Sequence, residues 1–103
     1  ELIEFKPDKF SLGDSSYENK IFNLHEVDLL PNDLIYIFSD GFPDQFGGDR
    51  GKKFKYRQLL QLLVEIQGKT MDQQYDLIDT KLKNWMGDLE QLDDVLVMGI
   101  QVA

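Results

Sequence analysis

Asp33-Leu34-Ile35-Tyr36-Ile37-Phe38-Ser39-Asp40-Gly41 is an apolar run closed by an aspartate, and Leu92-Asp93-Asp94-Val95-Leu96-Val97 is an apolar run opened by one. Five consecutive apolar residues with a β-branched and aromatic bias, flanked by turn residues, read as a strand buried on both faces. Val95 to Val102 reads the same way. If the two runs pair antiparallel, Asp40 and Asp93 arrive at one edge of the sheet. Two neighbouring carboxylates repel unless a proton or a cation lies between them, which points to a site for a hard metal ion.

The bulk numbers frame that reading. A chain of 103 residues is one small domain or half of a larger one. It opens at Glu1 without an initiator Met, so a longer parent protein is expected. At 42% hydrophobic and 12% aromatic residues it can bury a core, and the composition argues against disorder. The net charge of −8 argues against binding a phosphate backbone or an anionic membrane surface. There is no cysteine, which removes disulfides, thiolate metal sites and cysteine nucleophiles, and fits a cytoplasmic location. No apolar run approaches the ~20 residues that span a bilayer.

Along the chain, Leu2–Phe5 is expected to form a short strand, and part of Lys20–Leu30 an edge strand. Leu30-Pro31-Asn32-Asp33 is a turn, with Asn32 suited to the left-handed conformation. Gly41 to Lys53 reads as a long solvated loop. Lys55–Gln67 is a helix with Leu59, Leu62, Leu63 and Ile66 on one face, and Gly68 is its expected left-handed stop. Thr70 and Gln73 make a capping box. The helix they open carries a core stripe of Met71, Tyr75, Ile78, Leu82 and Trp85, and ends at Gly87. The order is β-β-β-α-α-β, an α+β domain whose last strand inserts beside Leu34–Phe38. One helix pair covers one face of that sheet, and the other face needs a partner from preceding residues or from a second copy of the chain.

Other motifs fall away. Asp44 and Asp49 lack the alternate-position ligands and terminal glutamate of an EF-hand. Gly47-Gly48 and Gly51 are not followed by the Gly-Lys-Ser/Thr of a P-loop. Ser39 has no His-plus-acid constellation, and His25 reads as a surface strand residue. Lys52 and Lys53 read as solvated, yet in an acidic chain they suit an anionic phosphoprotein. Taken alone, Asp40 is a turn residue before Gly41, and Asp93-Asp94 a solvated strand start whose side chains point to opposite sides.

In combination, Leu30-Pro31-Asn32-Asp33, a strand, Ser39-Asp40-Gly41, a Gly-rich loop, two helices and Asp93-Asp94-Val95 resemble the C-terminal half of PPM-type (type 2C-like) metal-dependent protein serine/threonine phosphatases. The similarity is strongest to the bacterial branch of stage II sporulation protein E and the sigma-factor regulators. It implies a layered sandwich of two sheets flanked by helices, of which residues 1–103 are the C-terminal half. It implies two Mn²⁺ or Mg²⁺ ions and a metal-activated water that attacks phosphorus. Asp40 and Asp93 match the family's metal ligands, with Gly41 and Asp94 as supporting residues.

Three departures from the pattern stand out. The earlier Asp-Gly motif, with the aspartate that bridges both metals, is not in this chain; Leu96 stands where a threonine is common; Asn32 replaces a glycine. The expected parent is a phosphatase acting on phosphoserine or phosphothreonine of a regulatory protein such as an anti-anti-sigma factor. The expected partners are that phosphoprotein, the N-terminal half of the domain, and a second copy through dimerisation or strand exchange. The isolated chain is expected to be inactive. The alternative is a phosphatase-like regulatory module without catalysis.

Overall fold

The computed structural model describes residues 2–7, 21 and 23–103. Strand β1 (Leu34–Phe38) pairs antiparallel with β4 (Val97–Gln101), from Leu34 opposite Gln101 to Phe38 opposite Val97. A small hairpin of β2 (Phe46–Gly47) and β3 (Lys52–Lys53) follows β1. Helices α1 (Tyr56–Ile66) and α2 (Met71–Met86) then lead back to β4. The β-β-β-α-α-β order stands, but two of its strands are not those expected. Leu2–Phe5 and residues 23–30 form no strand, because among the described residues nothing pairs with their backbones. The remainder of the expected edge strand, Lys20 and Phe22, lies outside the described residues.

Helix α1 follows its sequence period, burying Leu59, Leu62, Leu63 and Ile66. Gly68 is not its left-handed stop: the cap is Gln67 in right-handed geometry, and the turn closes through Lys69 N–H on the Ile66 carbonyl. The capping box of α2 is complete, with Thr70 Oγ1 accepting from Gln73 N–H and Gln73 Oε1 from Thr70 N–H. Gly87 ends α2 at φ 54, donating to the Lys83 carbonyl. The α2 stripe packs against the core through Ile78, Leu82 and Trp85 but departs from expectation at Tyr75. Tyr75 is 72% exposed, whereas Gln74 is buried and its Oε1 accepts from the Tyr36 hydroxyl. A buried amide is tolerated because that acceptor, and a second bond from its Nε2 to the Lys69 carbonyl, satisfy it.

The core gathers Phe42, Phe54 and the α1 leucines, with Tyr36, Phe38, Ile78, Leu82, Trp85, Val95 and Val97 packed around it. Phe42 and Phe54 are fully buried, each contributing about 1.5–3 kcal/mol of burial. The Gly41–Lys53 segment is a solvated loop only in part: Gly41, Phe42, Pro43, Gln45 and Gly47 are buried, while residues 48–53 are exposed. β1 and β4 are covered on the helix-facing side alone. Ile37, Met98 and Ile100 on the opposite side remain open because no second layer covers them among the described residues.

Candidate functional site

The β1–β4 register carries Ser39 and Asp40 past the strand end onto the segment that enters β4. Ser39 N–H donates to the Leu96 carbonyl at 3.0 Å. Its hydroxyl donates to the Asp94 carbonyl at 2.9 Å and accepts from Leu96 N–H at 3.0 Å. Ser39 is thus a clamp between the two aspartate segments and not a nucleophile. Next to it, a Cβ on Gly41 would sit 2.1 Å from the Asp94 carbonyl oxygen, so only glycine lets the two backbones meet.

Asp40 opens a helical turn in which Asp44 N–H donates to its carbonyl. The carboxylates of Asp40 and Asp93 are both exposed. Asp93 Oδ1 accepts from Asp94 N–H at 2.8 Å, which fixes the rotamer of Asp93. Asp94 contributes its backbone: its carbonyl receives the Ser39 hydroxyl, while its side chain does not line the cleft that Asp93 lines. The tip of the upstream turn is held in the same way, with Leu30 N–H on Asp33 Oδ2 and Asn32 at φ 72.

A cleft of ≈ 240 Å³ lies between the Gly41 turn, the hairpin and Asp93, with Asp44, Phe46 and Lys53 on its walls. Behind it, Gln45 is 3% exposed and cross-braces the site. Its Nε2 donates to the carbonyls of Phe46 and Glu90, both at 3.0 Å, tying the Asp40 turn to the loop that delivers Asp93. The Gln45 carbonyl accepts from Phe54 N–H and from the Trp85 indole at 2.8 Å. Sequence reasoning missed Gln45. Its signal was a glutamine between Phe42 and Phe46 in a stretch too apolar to be solvated.

Tyr56 stands close to this edge, its ring 5.6 Å from that of Phe38. Burial raises its phenol above the ordinary value of 10.0, helped by a hydrogen bond with Glu4 and by the charges of Glu4 and Asp40. The charge of Asp40 therefore reaches the Tyr56 phenol.

As a home for a divalent ion the donor chemistry is right, since exposed carboxylate oxygens are the ligands Mg²⁺ and Mn²⁺ prefer. The number of donors is that of a partial shell. No group of three or more His, Cys, Asp or Glu among the described residues is arranged to hold a metal. Asp93 lines the cleft beside the Gly41 turn, whereas Asp40 is not among its lining residues.

The family model described as stage II sporulation protein E (SpoIIE) matches residues 10–103. The structure is similar to the SiaA-PP2C domain of Pseudomonas aeruginosa, with a TM-score of 0.75 and 26% sequence identity. The match covers 82% of this chain and 35% of that one, so the chain spans about a third of the domain it resembles. None of the curated proteins matches. No helix among the described residues is long and apolar enough to cross a membrane.

Proposed function

Since the chain belongs to the stage II sporulation protein E family of PPM-type, PP2C-like phosphatases, we propose that it supplies the C-terminal half of a metal-dependent phosphoprotein phosphatase domain. Asp40 and Asp93 are the metal ligands it contributes. The observation that carries this reading is the Ser39 clamp with Gly41, which brings the Asp40 turn against the segment bearing Asp93. Mn²⁺ or Mg²⁺ bound there would supply Lewis acidity toward water and toward phosphate oxygens.

The chain's own residues do the positioning. Ser39 fixes the spacing of the two segments, Asp94 N–H orients the Asp93 carboxylate, and Gln45 braces the loop behind it. The chain has no cysteine to form a phospho-enzyme, and the Ser39 hydroxyl is engaged with the Asp94 and Leu96 backbone. The substrate is phosphoserine or phosphothreonine on a regulatory protein, with an anti-anti-sigma factor as the class the family suggests. The protein works in the cytoplasm.

The test is Mn²⁺-dependent hydrolysis of an aryl phosphate by the full-length protein, beside Asp40→Asn and Asp93→Asn. Metal-dependent turnover lost in both variants is the expected result. Turnover surviving both would put the ligands elsewhere. A folded full-length protein without turnover would favour the regulatory-module reading, to which Leu96 in the threonine position lends support.

A further inference from the structure

The eight residues Arg50–Arg57 hold five of the chain's eleven Lys and Arg residues and no acid, in a chain of net charge −8. Arg50, Lys52, Lys53, Lys55 and Arg57 are all exposed. Only Lys53 has an ion-pair partner among the described residues, Asp44 at 3.6 Å. That distance exceeds a good charge-assisted hydrogen bond, and both groups are half-exposed, so the ammonium is only weakly neutralised.

The hairpin register decides where each lysine goes. Lys52 lies opposite Gly47, whose face abuts Trp85. Lys53 lies opposite Phe46 and so shares the other face, which lines the cleft with Asp93. Its Nζ stands 6.0 Å from the centre of the Phe46 ring. Among the described residues, Lys53 is the one cation lining that cleft.

The hairpin is not free to swing. Gly48 N–H donates to the Trp85 carbonyl at 2.9 Å, and Lys55, at φ 80, donates to the Pro43 carbonyl at 2.8 Å. A phosphate dianion entering beside the Asp44 carboxylate, on the cleft wall that Lys53 shares, is favoured by that positive charge.

We infer that Lys53 binds the phosphate group of the substrate, and that the basic run around it docks an acidic flank of the phosphoprotein. The inference rests on the phosphatase reading for its chemistry, but binding tests it separately. The experiment uses full-length protein with Mn²⁺ and a labelled acidic phosphoserine peptide beside its unphosphorylated twin, read by fluorescence anisotropy. The same peptide serves for kcat and KM. Lys53→Gln should weaken the phosphopeptide and raise its KM about tenfold, the low end for a charge-assisted hydrogen bond because the group is half-exposed. The unphosphorylated twin should move less than twofold, and Lys53→Arg should recover most of the loss. Lys52→Gln, on the opposite face, should weaken both peptides alike and slightly.

Equal effects of Lys52→Gln and Lys53→Gln, or a Lys53→Gln variant that still prefers the phosphorylated peptide as the wild type does, would overturn the inference. So would preference for duplex DNA over the phosphopeptide. Lys53-dependent binding without turnover would sink the phosphatase reading and leave the inference standing. Turnover without Lys53 dependence would do the reverse.

Discussion

Gly41→Ala is the most direct challenge to the geometry of the site. The added Cβ would lie 2.1 Å from the Asp94 carbonyl oxygen, 2.7 Å from its carbon and 3.2 Å from Val95 Cα, where ordinary contact begins at 3.4 Å. All three atoms are backbone, so no rotamer change relieves the overlap. The Asp40 turn and the Asp93 segment must part by more than an ångström. That movement strains the Ser39 hydrogen bonds to Asp94 and Leu96, at 2.9 and 3.0 Å. Overpacking of this kind costs about 1–3 kcal/mol and each exposed hydrogen bond at the low end of ~0.5–1.5 kcal/mol, so the loss should be about 2–4 kcal/mol. Urea denaturation of the full-length protein would show it as a midpoint lowered by roughly 1–2 M. Calorimetric Mn²⁺ titration should show weakened binding as well. The control is Gly68→Ala, where nothing lies within 4 Å and the backbone is right-handed, and where a change between neutral and about 1 kcal/mol stabilising is expected. If Gly41→Ala matches Gly68→Ala in stability and leaves Mn²⁺ affinity unchanged, the two segments are not packed as described.

Three further outcomes follow from the same packing. Gln45→Leu strands the Phe46 and Glu90 carbonyls and should cost about 1–3 kcal/mol, with faster amide exchange concentrated at residues 87–94. Uniform loosening across the chain would contradict the bracing role. Tyr36→Phe leaves buried Gln74 Oε1 without its donor, at about 1–2 kcal/mol in thermal or chemical denaturation. Burial also raises the Tyr36 phenol above 10.0, so its contribution is complete below pH 10 and lost as pH rises through the higher folded value. The wild type should therefore lose more stability than Tyr36→Phe above that pH, and parallel alkaline limbs would refute it. Finally, residues 1–103 expressed alone should self-associate through the open face bearing Ile37, Met98 and Ile100. A monodisperse monomer at high concentration in sedimentation would contradict that.

What could be read from sequence was whatever local chemistry settles. The Thr70–Gln73 box, Gly87 and the left-handed Asn32 depend on a few adjacent residues, and each stands where expected. The pairing of Leu34–Phe38 with the final strand followed from two apolar runs that had to share a sheet. The misses share another cause: they depended on what lay across from the residue. Leu2–Phe5 has strand-forming residues but no ladder partner. Tyr75 kept the helical period, but Gln74 took the inward position because Tyr36 offered it a donor. The Gly41–Lys53 segment looked solvated from its glycines and charges. Two of those glycines are instead where backbone meets Trp85, and Phe42 enters the core. At the site, Asp40 and Asp93 were singled out by spacing and family resemblance, and the structure leaves both exposed. Gln45 was missed because its two acceptors lie on Phe46 and on Glu90, 45 residues away, and Lys53 was not separated from Lys52, both being read as solvated lysines suited to an anionic phosphoprotein.

The single tryptophan, Trp85, gives this architecture an optical consequence. Its indole donates to the Gln45 carbonyl at 2.8 Å, meets the Phe54 ring edge-on at 5.3 Å, and lies against Gly47 and Gly48 at the base of the basic hairpin. One chromophore thus reports on one junction: emission from a shielded, hydrogen-bonded indole is tied to the hairpin being seated. Undocking of that hairpin would shift the spectrum to the red before the helices melt, so the wall of the cleft can be followed in solution without an attached dye.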